Sequence, residues 1–396
     1  MKEIAIIGAG LHNWGKFPEK SWTQMAAETA REALQDAGVG WTDIQAVVAG
    51  SQLWGGRKGY YTGNYLAEVM GEIGVPIINI NNACATAGAV MRVAYMTIAS
   101  GDADLVLATG VDKSPKGFFP SLPVYHDEPL PSIDTIRWNM GFPNPIYWAL
   151  ECRKRMDRYG VTDTHLAQIK VNMSKHGALN PKARYRREFT LEEVLSSAMV
   201  ADPLRLYEIC ATSDGAGAVV LCSMDKARKY TTKPVTIAAS SVGSALYGDP
   251  TARIPSLAIT AKPNIPIISE SAMAANAAYE QAGMGPEDMD FVELPDNSSW
   301  HVLQYLETMG FCKEGESHHL TNKDGATLVG GRLPVCPSGG FSSFGEATMA
   351  QGFVQIYEIV CQLRGQAGAR QINGAKTGIA EVYGAAANNA ALILKT

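Results

Sequence analysis

The stretch Ile77-Ile78-Asn79-Ile80-Asn81-Asn82-Ala83-Cys84-Ala85-Thr86-Ala87-Gly88 decides how the rest of the chain reads. Its opening residues have the β-branched, apolar character of a short strand, and Asn81 and Asn82 close it. Residues 86–100 continue as a helix of small and apolar side chains. The order is strand, turn, helix, with Cys84 at the mouth of the helix. A thiol in that place faces unpaired N–H groups and the positive end of the helix dipole, which favour the nucleophilic thiolate. The same N–H groups can hold an oxyanion during acyl transfer. The competing reading is an inert buried cysteine, a common state for this residue type. Cys152, Cys210, Cys222, Cys312, Cys336 and Cys361 have no comparable setting and read as structural.

On either side of this stretch, β-branched runs alternate with alanine-rich helical segments, the pattern of an α/β protein. Strands are predicted over 4–8, 44–49, 77–81 and 104–109. A helix capped by Ser21 or Thr23 runs to Ala37 and stops at Gly38. The pattern returns later, with strands over 235–241 and 290–294 and a helix over 272–282. Ala37-Gly38, Gly40, Asp43 and Val47 match Ala282-Gly283, Gly285, Asp288 and Val292 at one constant offset. The chain therefore reads as an internal duplication, whose strand ends can converge on one cleft. Residues 114–199, rich in proline and in Arg and Lys, read as a cap inserted between the halves. The division is 1–113 with 200–230 for the first half, 114–199 for the cap, and 231–396 for the second half.

Composition narrows the function. The 396 residues are 46% hydrophobic, and 34 Lys+Arg against 39 Asp+Glu leave a net charge of −5. That disfavours a nucleic-acid binder, a polybasic membrane protein and a disordered chain. Apolar runs such as 385–394 are interrupted, here by Asn388 and Asn389, so no membrane span is expected. No signal peptide is visible before Gly8-Ala9-Gly10. Seven scattered cysteines without a CxxC pair indicate a reducing, cytoplasmic setting and no zinc site. Gly8-Ala9-Gly10 fails as a dinucleotide fingerprint because position 13 is Asn. His318-His319 lacks further ligands at metal spacing, so no metal is expected.

Asn81-Asn82-Ala83-Cys84-Ala85-Thr86-Ala87-Gly88 resembles the nucleophile motif of the thiolase superfamily, close to its sterol-carrier-protein-x branch. The resemblance runs through Asn180-Pro181-Lys182-Ala183, Ser213-Asp214-Gly215-Ala216-Gly217-Ala218, Cys336-Pro337-Ser338-Gly339-Gly340 and residues 362–368, nearly the whole chain. It implies a duplicated βαβα fold in five layers, α-β-α-β-α, with a cap/loop insertion, assembled as a homodimer. Three departures stand out. The branch's His-Asp-Cys-Phe is here Pro295-Asp296-Asn297-Ser298, its Gly-His-Pro is Gly345-Glu346-Ala347, and a Cys-x-Gly near the C-terminus is Val382-Tyr383-Gly384.

The resemblance implies cleavage of a β-keto acyl thioester through an acyl-Cys84 enzyme, with coenzyme A as co-substrate and no covalently bound cofactor. Glu346 stands as the base, provided that burial raises its pKa. Asn297 is the amide donor to a thioester or keto oxygen, with His301 one turn further along. Lys182, Arg184 and Arg186 are candidates for the phosphates of coenzyme A. Tyr383, Gly384 and Trp54 complete the binding set. Trp54, Tyr60, Tyr61, Tyr125, Trp138, Phe142, Tyr147 and Trp148 form an aromatic group suited either to the core or to a bulky acyl pocket. Within the family the substrate suggested is 2-benzoylsuccinyl-coenzyme A, and relatives of that kind pair with a small OB-fold, zinc-ribbon subunit. Alternatives within the fold are a C–C-bond-forming acyltransferase and a retro-aldolase. Members resembling the retro-aldolase carry tyrosines where Pro295 and Glu346 stand. Outside catalysis, the alternative is an acyl-CoA-binding scaffold with a dead site.

Overall fold

The computed structural model describes residues 2–115, 144–231, 233–244, 269–384 and 388–396. The strands formed among them are β1 (Ile4–Leu11), β2 (Ala46–Gly50), β3 (Ile77–Ile80), β4 (Leu105–Lys113), β5 (Met199–Ala201), β6 (Leu204–Arg205), β7 (Asp214–Ser223), β8 (Val235–Ser244), β9 (Phe291–Glu293), β10 (Thr377–Gly384) and β11 (Asn388–Lys395). Apart from the β5–β6 ribbon, they are hydrogen-bonded in the order β3-β2-β4-β7-β1-β8-β11-β10-β9. One arrangement occurs twice in that order. β2 lies parallel to β4, which is antiparallel to β7, which is antiparallel to β1. From the other edge, β9 lies parallel to β10, which is antiparallel to β11, which is antiparallel to β8. Among the described residues the two sets pair through Ala5↔Thr236 and Ile6↔Val235.

The repeated residues build the same turn twice. The helices Trp22–Ala37 and Glu270–Ala282 both end on a left-handed glycine, Gly38 at φ 67° and Gly283 at φ 64°. The Gly40 N–H donates to Asp43 Oδ2 at 2.7 Å, and the Gly285 N–H donates to Asp288 Oδ2 at 2.8 Å. β2 and β9 follow directly. Even the turn before the active site recurs in part, because Val335 bridges Val292 in parallel as β3 pairs with β2. Ala83 and Cys336 then adopt nearly the same left-handed conformation, φ 48° and 47°.

Strand alternation sorts the side chains into layers. Ala5 and Ile7 of β1 join Met25, Ala30 and Ala33 of the Trp22–Ala37 helix in one core. Ile4 and Ile6, one residue out of phase, join a second core with the helices Thr86–Ser100 and Gln351–Arg364. Strands of the second half contribute to that core through Phe291, Ala380 and Leu392, while Val292, Ile379 and Ile393 face a third core under the helices Glu270–Ala282 and Ser299–Thr308. Two half-sheets thus enclose a central helix pair and are covered outside by further helices, giving five layers. Both faces of each half-sheet are buried, so its strands are near-continuously apolar. The stretch Ala83–Ser100 is apolar and long enough to cross a membrane by composition, but here its helix is central core.

Between β4 and β7 the chain forms the helices Asn144–Tyr159, Asp163–Ala178 and Leu191–Leu195, then the β5–β6 ribbon. The part of the expected cap over 116–143 lies outside the described residues, as do Tyr125, Trp138 and Phe142.

Candidate active site

The two central helices are topological counterparts, and each carries one reacting group at its approach. Cys84 stands two residues before the Thr86–Ser100 helix, and Glu346 five before the Gln351–Arg364 helix. Cys84 Sγ lies 3.5 Å from Glu346 Oε1. Their loops are tied together: Met349 Sδ accepts from the Thr86 hydroxyl at 3.2 Å and lies 3.8 Å from Asn81 Nδ2. Ala83, held at positive φ immediately before the nucleophile, costs roughly 1–2 kcal/mol. Such strain is affordable where surrounding contacts over-determine the loop. Those contacts include Asn82 N–H to Thr86 Oγ1 at 2.8 Å and Ala83 N–H to Asn81 Oδ1 at 3.1 Å.

Two of the expected oxyanion donors are engaged by this turn. The N–H of Ala85 is taken by the Asn82 carbonyl at 3.1 Å and that of Thr86 by the Ala83 carbonyl at 3.0 Å. A tight turn between strand and helix uses those two donors internally.

Three loop segments converge on Glu346. Its N–H donates to the Ala211 carbonyl at 2.6 Å, and its carbonyl accepts from the Ser213 N–H at 2.8 Å. The Cys210 N–H donates to the Asn297 carbonyl at 2.9 Å. This backbone zipper sets Cys210 Sγ 3.8 Å from Glu346 Oε2 and 3.9 Å from Asn297 Nδ2. Asp296 fixes the turn leading to Glu346 by accepting from the N–H groups of Phe341 at 2.5 Å and Ser342 at 3.1 Å. At Gly345, φ +80°, a Cβ would lie 2.2 Å from Ser213 Oγ, so only glycine fits.

Burial pushes Glu346 up to about 7, against the contacts with Cys84, Cys210 and Asn297 that favour its charged form; Asp112 adds a further upward push. A carboxylate at that level is a competent partner for a thiol near ~8.5. Cys210, fully enclosed and beside the same carboxylate, is pushed well above the usual thiol range, first by burial and then by the Glu346 charge. Asn297 is 1% exposed, and its Oδ1 has no hydrogen-bond partner among the described residues.

Cys210 also borders a cavity of about 870 Å³. Tyr185, Phe189, Leu206 and Tyr207 supply apolar wall, while among the described residues Lys16, Lys113, Lys170 and Arg184 are its cations and Asp214 its one acid. Lys170 is drawn down to about 8 by burial, partly offset by Asp296.

Family models of the thiolase N-terminal domain and of a thiolase C-terminal-like domain match residues 4–116 and 252–396. An acetyl-CoA acetyltransferase of Methanothermobacter thermautotrophicus is 34% identical over 99% of each chain. The chain belongs to the thiolase family. It is also similar to the benzoylsuccinyl-CoA thiolase subunit BbsB of Thauera aromatica, 31% identical over 94% of this chain and 91% of that one. Among solved structures, the Ltp2-ChsH2(DUF35) aldolase superposes with a TM-score of 0.83 at 27% identity, covering 100% of this chain and 98% of that one. Family membership and the acetyltransferase relative make this thiolase an acyltransferase.

The other residues singled out in the sequence fall in different places. His301 is buried among Trp148, Trp300, Tyr305 and Tyr383, bonded through Nδ1 to Ser298 at 2.9 Å. Burial lowers its pKa to about 3, so it is a neutral imidazole. Tyr383 belongs to the same aromatic group. Gly384, next along β10, abuts the nucleophile loop: a Cβ there would lie 2.7 Å from the Ala85 nitrogen and 2.8 Å from the Asn82 oxygen. Lys182 is committed to the Leu11 carbonyl and to Glu32 at 2.6 Å, outside the lining of the cavity. Arg184 lines the cavity while donating to the Thr212 carbonyl at 2.7 Å and Ser213 Oγ at 3.1 Å. Arg186 is exposed. Trp54 is half-buried after β2 and does not line the cavity. Tyr60 and Tyr61 are exposed, and Trp148 is core, so among the described residues the cavity's aromatics are others than the expected set. Sequence reading set Cys210 aside with the structural cysteines; its place just ahead of the Ser213-Asp214-Gly215 motif was the available clue. His318 and His319 are joined by His165 with ring centroids 4.9 Å from His318, yet no group of three or more metal-binding side chains is arranged around an ion among the described residues.

Proposed function

We propose that this thiolase cleaves a β-keto acyl thioester with coenzyme A through an acyl-Cys84 intermediate, and that its substrate is 2-benzoylsuccinyl-coenzyme A, giving benzoyl-coenzyme A and succinyl-coenzyme A. The observation that carries the reading is the 3.5 Å contact between Cys84 Sγ and Glu346 Oε1 in an enclosed site. Glu346 takes the Cys84 proton; the thiolate adds to the keto carbon; the carbon–carbon bond breaks and the leaving thioester acquires a proton. Coenzyme A then removes the acyl group. Asn297 is the candidate donor to the keto or thioester oxygen, in place of the donors that the turn consumes.

The substrate assignment is supported by the benzoylsuccinyl-CoA thiolase relative. It is supported too by a cavity whose aromatic walls and excess cations suit an apolar arm bearing carboxylate or phosphate. Arg184, which lines the cavity while Lys182 does not, is the candidate among the expected cations for contact with coenzyme A. A homodimer is supported by β3, an edge strand whose Ile78 is 38% exposed, with Tyr60 and Tyr61 exposed after β2. A small OB-fold, zinc-ribbon partner and a cytoplasmic location complete the proposal; the DUF35 component named in the aldolase neighbour is consistent with a partner.

A retro-aldolase is the second reading, favoured by that same structural neighbour. Product analysis separates the two. The protein, with and without an added zinc-ribbon subunit, is incubated with 2-benzoylsuccinyl-coenzyme A and coenzyme A. Benzoyl-coenzyme A and succinyl-coenzyme A appearing together, only when coenzyme A is supplied, is the expected outcome. Cleavage of a β-hydroxy acyl thioester without coenzyme A, and none of the keto substrate, would replace it with the aldolase.

A further inference from the structure

We propose that Cys210 is a second catalytic thiol, the acid that protonates the leaving carbanion and then the base that receives the proton of incoming coenzyme A. The inference rests on the thiolase reading above and adds to it a residue and a division of labour.

Four observations converge. Glu346 presents one oxygen to each of two thiols, Oε1 to Cys84 at 3.5 Å and Oε2 to Cys210 at 3.8 Å. A carboxylate so placed can take one proton only, and the attack by Cys84 fills it. A carbanion α to a thioester still requires a proton, and Cys210 is the next proton-bearing group at the same carboxylate. Second, Cys210 is held protonated, since burial and the adjacent carboxylate both disfavour its thiolate. Third, Asn297, 1% exposed and with its amide facing the Cys210 sulfur at 3.9 Å, keeps an Oδ1 without a hydrogen-bond partner among the described residues. An orphaned buried acceptor is costly unless a ligand satisfies it. Fourth, Cys210 borders the cation-lined cavity, whereas Cys84 and Glu346 do not. A thiol entering from that cavity meets Cys210 first.

The protons balance over one turnover. Cys84–SH gives its proton to the Glu346 carboxylate as sulfur bonds to the keto carbon. As the carbon–carbon bond breaks, the Cys210 S–H proton passes to the α-carbon of the leaving thioester, and Cys210 is left as thiolate. Incoming coenzyme A returns a proton to Cys210, and its own thiolate attacks the acyl carbon. Cys84 leaves and recovers its proton from Glu346. Each group ends as it began.

The test uses two half-reactions of the full-length protein. Thioester exchange between benzoyl-coenzyme A and labelled coenzyme A passes through Cys84 and asks Cys210 only to relay a proton between coenzyme A thiols, a few per cent of which are already thiolate near neutral pH, so loss of that relay costs it little. Exchange of the α-hydrogens of succinyl-coenzyme A in D₂O requires the carbon acid–base group. Cys210→Ala is expected to slow α-exchange at least 100-fold, in the range for loss of a general acid, while thioester exchange falls less than ten-fold. Cys210→Ser, nearly isosteric, should give the same split at smaller magnitude. If both half-reactions fall by the same factor in both variants, Cys210 is packing and the proposal is overturned. Unchanged α-exchange overturns it equally. If the unsubstituted protein shows no thioester exchange, the thiolase reading itself has failed.

Discussion

Glu346 is the residue on which the chemistry turns. A glutamate in a loop is ordinarily solvated and acidic; this one is enclosed by three zipped segments and held near 7 by burial. The unfolded chain ionises it near 4.5, so between about 4.5 and 7 the folded protein keeps a proton that the unfolded chain has lost. Folding is therefore favoured least above that window. Glu346→Gln should raise the unfolding midpoint relative to the parent at pH 8, with the gap closing toward pH 5, as thermal unfolding at both pH values will read. The same substitution should lower the rate of Cys84 acylation by roughly 10²–10⁴-fold and remove an inflection near pH 7 from its pH profile. A residue-by-residue reading of the sequence reached Cys84 from its strand–turn–helix setting, and Glu346 and Asn297 only through departures from a family pattern. It set Cys210 aside because its one local clue, its place just ahead of the Ser213-Asp214-Gly215 motif, names no partner: Glu346 is 136 residues away, and the contact exists only once the loops zip.

At the scale of elements, the duplicated turn explains what the sequence made legible and what it did not. The constant-offset matches 37–47 and 282–292 are the residues that end a helix on a left-handed glycine, bond Gly N–H to Asp, and enter a strand. Such turns depend on local chemistry, so they could be read directly. The helix over 86–100 was legible for the same reason. Strand ends were less so: β4 continues four residues past the predicted end and β1 three, because pairing with β7 extends both. Two of the N–H groups expected to be free at the helix mouth, those of Ala85 and Thr86, are used by the turn into the helix itself. Where β10 meets that turn, Gly384 allows the backbone approach. Gly384→Ala places a Cβ 2.7 Å from the Ala85 nitrogen and must displace the Cys84 loop. A fall of at least ten-fold in turnover is expected, with far-UV circular dichroism unchanged; full activity would show that the loop position is unimportant.

For the whole molecule, the gain from duplication is that two equivalent helix approaches, one from each half, face each other at the centre. One supplies a thiol and the other a carboxylate, and neither half holds a complete site. The cap adds Tyr185 and Phe189 to the apolar wall of the cavity beside them, and the first half's return segment adds Leu206 and Tyr207. The duplicated α/β character followed from alternation and repetition in the sequence and the five layers from the family resemblance, whereas this meeting point depends on contacts between residues 84, 210, 297 and 346 that no local pattern encodes. The claim that unites these levels is that Cys84 becomes acylated. Intact-protein mass after brief exposure to 2-benzoylsuccinyl-coenzyme A tests it most directly. A benzoyl adduct that is absent in Cys84→Ala and discharges when coenzyme A is added is the predicted result. An unmodified mass while the thioester demonstrably binds and the partner subunit is present would contradict it.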